Sequence, residues 1–294
     1  MPEYVAFWGC YIPARMPNIE AASRKVFEVL GVSIEELEGA SCCPEPVISK
    51  LVARKLWTAL AARNIALAEA KGKDIMTLCN GCYETLFEVN HMLKEDAELR
   101  NEVNQVLSGI GKKVEGKIEV KHVVEVLGED IGIEKLKEYV KRPLRSLNVA
   151  VHYGCHLFRS AKPDDEDVWK KPRLLEELIR VTEANLVEYG VERLCCGYPA
   201  RQANVEFSLK NRLHVKLKNM RESNADCIVL ACPACYIQFE LGQTELRRYV
   251  KETFRIPVLH IMELLALSFG ISPDEIGIKL HRIPVKNVLE KVKI

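Results

Sequence analysis

Residues 74–90 read DIMTLCNGCYETLFEVN, and residues 226–242 read DCIVLACPACYIQFELG. Each stretch carries a short apolar run, then a C-x2-C pair, then a helical pattern. A short apolar run bounded by punctuation reads as a buried strand. Two more matches lie upstream of each stretch. AFWGC (6–10) pairs with AVHYGC (150–155), and ASCCPEP (40–46) pairs with RLCCGYP (193–199). Internal repetition on this scale marks a duplicated unit.

Working outward, YVAFW and LNVAV read as strands that each lead to a first cysteine. Residues 17–30 begin at Pro17 and stop before Gly31, which are good helix boundaries. Residues 47–71 are rich in Ala, Leu, Lys and Arg and stop before Gly72, so one long helix is predicted. In the second half 203–223 takes that role, with Asn224 after it. The order in each half is strand, helix, strand, helix, strand, helix. Such alternation predicts an α/β fold with small, mostly parallel sheets flanked by helices. Ligands of such sheets sit outside the carboxyl ends of the strands. Cys10, Cys79, Cys155 and Cys232 all fall at strand ends on this reading.

The predicted organisation is an N-terminal unit with connector over 1–146, a C-terminal unit over 147–270 and an extension over 271–294. Residues 97–140 are charged and Gly-punctuated, and KRPLRSLN (141–148) marks the boundary because Pro143 interrupts local structure. The extension reads as a surface tail or a partner-binding segment.

Eleven cysteines in 294 residues are the anomaly. Hydrophobic residues make up 48%, enough for a core that needs no disulfides. The formal charge of +1 gives no electrostatic footprint for nucleic acid. No run is long and apolar enough for a membrane span, and the start MPEYVAFWGC lacks the regions of a signal peptide. A cytoplasmic location is expected. Cysteines at fixed spacing in that setting point to metal or redox chemistry.

Ten of the eleven fall into one pattern used twice. Cys10, Cys42, Cys43, Cys79 and Cys82 read C-x31-CC-x35-C-x2-C, and Cys155, Cys195, Cys196, Cys232 and Cys235 read C-x39-CC-x35-C-x2-C. Only Cys227 is left over, and it reads as an inert buried residue. A structural zinc ion takes four ligands, usually as two close pairs. An ordinary cubane cluster takes four thiolates. Five per site, twice, favours two multi-iron sites of unusual ligation with soft thiolate ligands. A thioredoxin-like dithiol and a structural zinc scaffold are the alternatives.

The duplicated cysteine motif, with GASCCPEP, LCNGCYETLFEVNHMLKED and VHYGCH, resembles the B subunit of heterodisulfide reductase, in the CCG-domain family. The resemblance spans nearly the whole chain and implies two similar CCG domains related by duplication. It implies two noncubane [4Fe–4S] clusters. Cys10, Cys42, Cys43, Cys79 and Cys82 would hold the first, and Cys155, Cys195, Cys196, Cys232 and Cys235 the second. It implies reduction of the mixed disulfide of coenzyme M and coenzyme B, in methanogenesis, to two thiols. The ferredoxin-like C subunit, the flavoprotein A subunit and a hydrogenase are the implied partners. One departure is CCGYPARQANVEF after the second adjacent pair, where the family is often Gly-rich. The other reading is an electron-transfer CCG subunit of a hydroxyacid-oxidation or sulfur-oxidation complex.

Cleaving a disulfide takes two electrons and two protons. Two clusters flanking the bond would each take one sulfur. His152 and His156 flank Cys155 and are the candidate proton donors. Arg15, Arg159 and Arg201 follow cluster cysteines and are the candidate contacts for the substrate's anionic groups. Tyr83 and Tyr236 follow the C-x2-C pairs in register and are expected to pack the clusters, within reach of a sulfur. His91, His122, His214, His260 and His281 carry no signal. With no C-x2-C-x2-C run and no Gly-rich dinucleotide fingerprint, the electron donor is expected on another chain.

Overall fold

The computed structural model describes residues 3–159 and 169–294. Two four-stranded sheets form, both wholly parallel. The first is β1 (Tyr4–Phe7), β2 (Ile34–Glu36), β3 (Asp74–Thr77) and β4 (Val120–His122), in the order β2-β1-β3-β4. The second is β5 (Asn148–His152), β6 (Asn185–Leu186), β7 (Cys227–Leu230) and β8 (Val258–His260), in the order β6-β5-β7-β8. The central pairs match in register, Val5 opposite Ile75 and Ala150 opposite Ile228. The duplicated α/β architecture is therefore as the repeat predicts, with one more strand per half. Those extra strands, β4 and β8, are three residues each, too short to show a pattern.

Helices Pro17–Leu30 and Arg54–Lys71 end where the glycines say they should. Gly31 and Gly72 adopt left-handed conformations, φ 66° and 64°, that a side chain would disfavour. The single helix expected over 47–71 is broken. Ala53, at φ −146° and ψ 54°, separates Ile48–Val52 from Arg54–Lys71. Its counterpart begins at Val205 and runs to Glu222 through a wide i→i+5 turn at Leu209–Leu213.

The two halves share one hydrophobic core. Helix Ile261–Ser268 of the second half packs on helix Pro17–Leu30 of the first, and helix Lys170–Val181 packs on Val123–Glu125. The exchange repeats at the cysteines, where Asn80–Glu95 meets Cys155–Arg159 and Pro233–Leu246 meets Tyr11–Arg15. Each half therefore covers the other's apolar faces. The stretch after residue 270 is not a surface tail. Ile276, Ile278, Val285 and Val288 are buried, and His281 lies inside. Its amphipathic spacing, short and interrupted by Pro273 and Pro284, hides that packing from a sequence reading.

Candidate metal centre

The carboxyl ends of β1, β3, β5 and β7 converge on one cavity of 220 Å³ whose wall includes nine cysteines. β1 and β5 each pass through a Trp-Gly or Tyr-Gly step into Cys10 or Cys155. The glycines are required. Gly9 and Gly154 sit at φ 71° and 77°, and a Cβ on Gly9 would lie 3.0 Å from Cys82 Sγ. Cys79 and Cys232 are the residues before helices Asn80–Glu95 and Pro233–Leu246. Cys82 and Cys235 follow in the first turn. All four sulfurs thus sit at the start of a helix, and of the four only Cys232 is held well below its ordinary value, by its contacts with Cys235 and Cys79.

The ten cysteines form a continuous run of sulfur contacts. Cys10 meets Cys42, which meets Cys43, which meets Cys82, which meets Cys79. Cys79 meets Cys232 across the seam between the halves. The run continues through Cys235 to Cys196 at 3.4 Å and Cys195, and ends at Cys155, 3.7 Å from Cys195. Charge cannot be uniform along it. Hydrogen bonds from Cys42 and Cys82 hold Cys43 down to about 5, and those from Cys155 and Cys196 hold Cys195 down to about 2. Hydrogen bonding to Cys43 and burial push Cys82 up, and contact with Cys232 pushes Cys79 up. Adjacent buried thiolates repel, so full ionisation requires cations among them. Gathered soft donors with that requirement fit metal centres ligated by both sets. Cys227 stands apart, buried in β7, its thiol pushed up by burial.

The other residues singled out in the sequence divide. His156 lines the cavity, and its Nδ1 contacts the Glu84 carboxylate of the opposite half, both side chains buried. His152 is buried behind the second set, and burial drops it to about 3. Arg15 is exposed and lies in a neighbouring cleft with Arg282. Arg201 is committed to Glu245. Both arginines are near Tyr198, yet neither lines the sulfur cavity. The side chain of Arg159 lies outside the described residues. The tyrosine hydroxyls turn away from sulfur. Tyr83 donates to Glu125 at 3.2 Å, and Tyr236 pairs with His281 Nδ1 at 2.9 Å.

Sequence reasoning missed four features. Tyr11 and Tyr198, one from each half, join hydroxyls at 2.6 Å on the cavity wall. Lys216 is fully buried, donates hydrogen bonds to the Val191 and Glu192 carbonyls, and is dropped by burial to about 8. His122 and His260 cap their helices identically. Each Nδ1 accepts a backbone N–H two residues on, from Val124 at 3.2 Å and Met262 at 3.3 Å. That fixes the remaining proton on Nε2, and His260 donates it to Leu78 O, just before Cys79 in the other half. A signal existed in VKHVVE and VLHIME, but those motifs stand 40 positions after Cys82 and 25 after Cys235.

A fourth contact locks the seam, where Asn80 Nδ2 donates to Tyr153 O at 2.8 Å. A Cβ on Gly154 would lie 2.4 Å from that nitrogen. Gly154→Ala is expected to break the bond and strain a positive φ, costing about 1–3 kcal/mol. Anaerobic urea unfolding should show the lowered midpoint, and an unchanged midpoint would mean the seam gives way without cost.

The description "Cysteine-rich domain" of the CCG type fits residues 4–87 and again residues 149–240. The chain belongs to this CCG family of cysteine-rich proteins. Within it, the similarity is to heterodisulfide reductase B subunits. The B subunit of a ferredoxin/F420H2-dependent CoB-CoM heterodisulfide reductase of Methanosarcina acetivorans is 40% identical, over 99% of this chain and 97% of its own. A protein of Archaeoglobus profundus described as like the heterodisulfide reductase B subunit is 40% identical over 94% of each chain. The membrane anchor subunit of an 8-methylmenaquinol:fumarate reductase of Wolinella succinogenes is 29% identical over 99% of each. A crystal structure of a hypothetical Helicobacter pylori protein shares the fold, with TM-score 0.75 and 14% identity over 96% of this chain and 52% of that longer one. Among the described residues of this chain, no helix is long and apolar enough to cross a membrane. The chain is thus a CCG-family cysteine-rich protein, similar over nearly its whole length to heterodisulfide reductase B subunits.

Proposed function

We propose that this chain is the disulfide-cleaving subunit of a heterodisulfide reductase, acting on the coenzyme M–coenzyme B disulfide. The observation that carries the reading is the run of ten cysteines, nine of them lining one cavity, with the two sets meeting at Cys79 and Cys232. Cys10, Cys42, Cys43, Cys79 and Cys82 would hold one noncubane [4Fe–4S] cluster, and Cys155, Cys195, Cys196, Cys232 and Cys235 the other. Bound there, the clusters would supply the two electrons one at a time. The balance is one disulfide, two electrons and two protons to two thiols.

The protein's own groups have separate tasks. Glu84 grips His156 Nδ1, which orients the ring on the cavity wall. His156 so placed hands a proton to a departing thiolate. His152, unionised and walled in, does not exchange protons with solvent, so the proton role falls on His156 rather than on both. Arg15, exposed near Tyr198, is the cation that meets an anionic arm of the substrate. Electrons come from the ferredoxin-like C subunit, fed by the flavoprotein A subunit with its hydrogenase, and the assembly works in the cytoplasm.

Anaerobic purification with metal and sulfide analysis, then disulfide reduction driven by a reduced viologen, tests the proposal. About eight iron and eight sulfide per chain are expected for two [4Fe–4S] centres, with both thiols released. Zinc alone, or iron without disulfide cleavage, would overturn it.

A further inference from the structure

The two sulfur sets match in number and differ in surroundings. β1 ends in Phe7, three residues before Cys10, whereas β5 ends in His152, three residues before Cys155. His152 is 1% exposed, and neither ring nitrogen has a hydrogen-bond partner among the described residues. Leaving a buried polar group unpaired costs about 1–3 kcal/mol. A ring kept at that cost in a packed core has a partner that protein atoms do not supply. The direction is also defined. A His152 nitrogen and the Sγ atoms of Cys196 and Cys235 all lie within 4.8 Å of one another. Phe239 packs edge-on against the ring, with centroids 5.0 Å apart, and fixes its plane.

Charge breaks the symmetry in the same sense. Lys216, fully buried, sits close enough to Cys196 and Cys235 to feel their charge. The corresponding helix of the first half, Arg54–Lys71, buries no charged residue.

Building on the iron–sulfur reading above, we propose that His152 donates a ring N–H to a sulfur of the centre held by the second cysteine set. The two centres are thereby unequal, and the second accepts an electron first. A hydrogen bond to a cluster sulfur stabilises the more negative, reduced state and raises its potential. Phe7, at the matching position in the first half, offers no such donor, so the first centre has only the buried, unpaired Trp8 Nε1–H on the cavity wall and no counterpart of Lys216. Electrons arriving one at a time therefore have an ordered path, second centre before first.

The test replaces His152 by the residue its twin position already accommodates. Wild type, His152→Phe and His152→Gln, each as the full chain, are titrated anaerobically against potential and followed by electron paramagnetic resonance, with iron and sulfide measured in parallel. Wild type should show two reduction steps. His152→Phe should keep its iron and sulfide while the upper step moves down toward the lower. His152→Gln, which retains an N–H donor, should fall between. Unmoved steps with full iron would overturn the proposal. Loss of about half the iron in His152→Phe would also overturn it, because the ring would then be a ligand of one of two clusters. Wild type without iron or sulfide would instead sink the iron–sulfur reading itself, and with it the basis of this one.

Discussion

Cys195→Ser is expected to leave about half of the iron and sulfide bound and to end disulfide turnover, since one of two clusters would lose a ligand. Cys195, like Cys232, is a sulfur of the second set held as thiolate, down to about 2 by Cys155 and then Cys196, with the Gly197 N–H 3.4 Å away. Serine offers a hard oxygen that stays protonated at neutral pH, so it supplies neither the charge nor the softness the site needs. The first set would keep its five thiols, which is why the loss stops near half. Iron and sulfide analysis gives the first number, and the viologen-coupled assay gives the second. Cys227→Ser is the matching control, because that thiol sits in β7 away from the run, and iron should be retained. Full turnover by Cys195→Ser would show that one intact centre suffices.

His281→Gln should destabilise the fold by about 3–5 kcal/mol, the usual cost of leaving a buried charge without its partner. His281 Nε2 lies 2.8 Å from Glu263 Oε1 and its Nδ1 lies 3.2 Å from Glu240, with all three side chains nearly or wholly inside. Glu263 also receives Asn18 at 2.8 Å, so the cluster fastens the C-terminal segment to helix Pro17–Leu30. The two carboxylates hold His281 up to about 10 against the opposing effect of burial. A histidine with folded pKa above its unfolded value of 6.5 stabilises most when both forms are protonated. Its contribution is therefore complete below about pH 6.5 and fades as pH rises toward about 10. Glu263, held below its ordinary value chiefly by His281 against burial, contributes above the carboxylate range and is lost on acidification. The variant should be lower than wild type by roughly 6–15 °C at pH 6.5, and that gap should close between pH 7 and 10, while Lys216, depressed by burial, contributes equally to both. A variant as stable as wild type at pH 6.5 would mean the carboxylates protonate on folding.

Much of the architecture was legible because its strongest signals are chemical. The 35-residue gap repeats unchanged between each adjacent pair and its C-x2-C. The apolar runs before Cys10, Cys79, Cys155 and Cys232 are long enough to read as central strands. The edge strands β4 and β8, three residues each, were not, because they are too short to carry a pattern. The long helix before Gly72 was read through Ala53 because alanine is a good helix former and the break there is tertiary. Arginines near cysteines in sequence were natural guesses, but Glu245 captures Arg201 from a helix 44 positions on. Such pairings, like the clasp of His156 by Glu84 across 72 positions, exist only once the halves meet.

That meeting has a consequence for biosynthesis. Helix Pro17–Leu30 is synthesised well before the surface that shields it, Ile261–Ser268. Until then the nascent chain carries five thiols beside an uncovered apolar stripe, open to oxygen and to wrong partners. That stripe stays uncovered until Ile261–Ser268 is made, so a truncated product of residues 1–146 should collect in inclusion bodies.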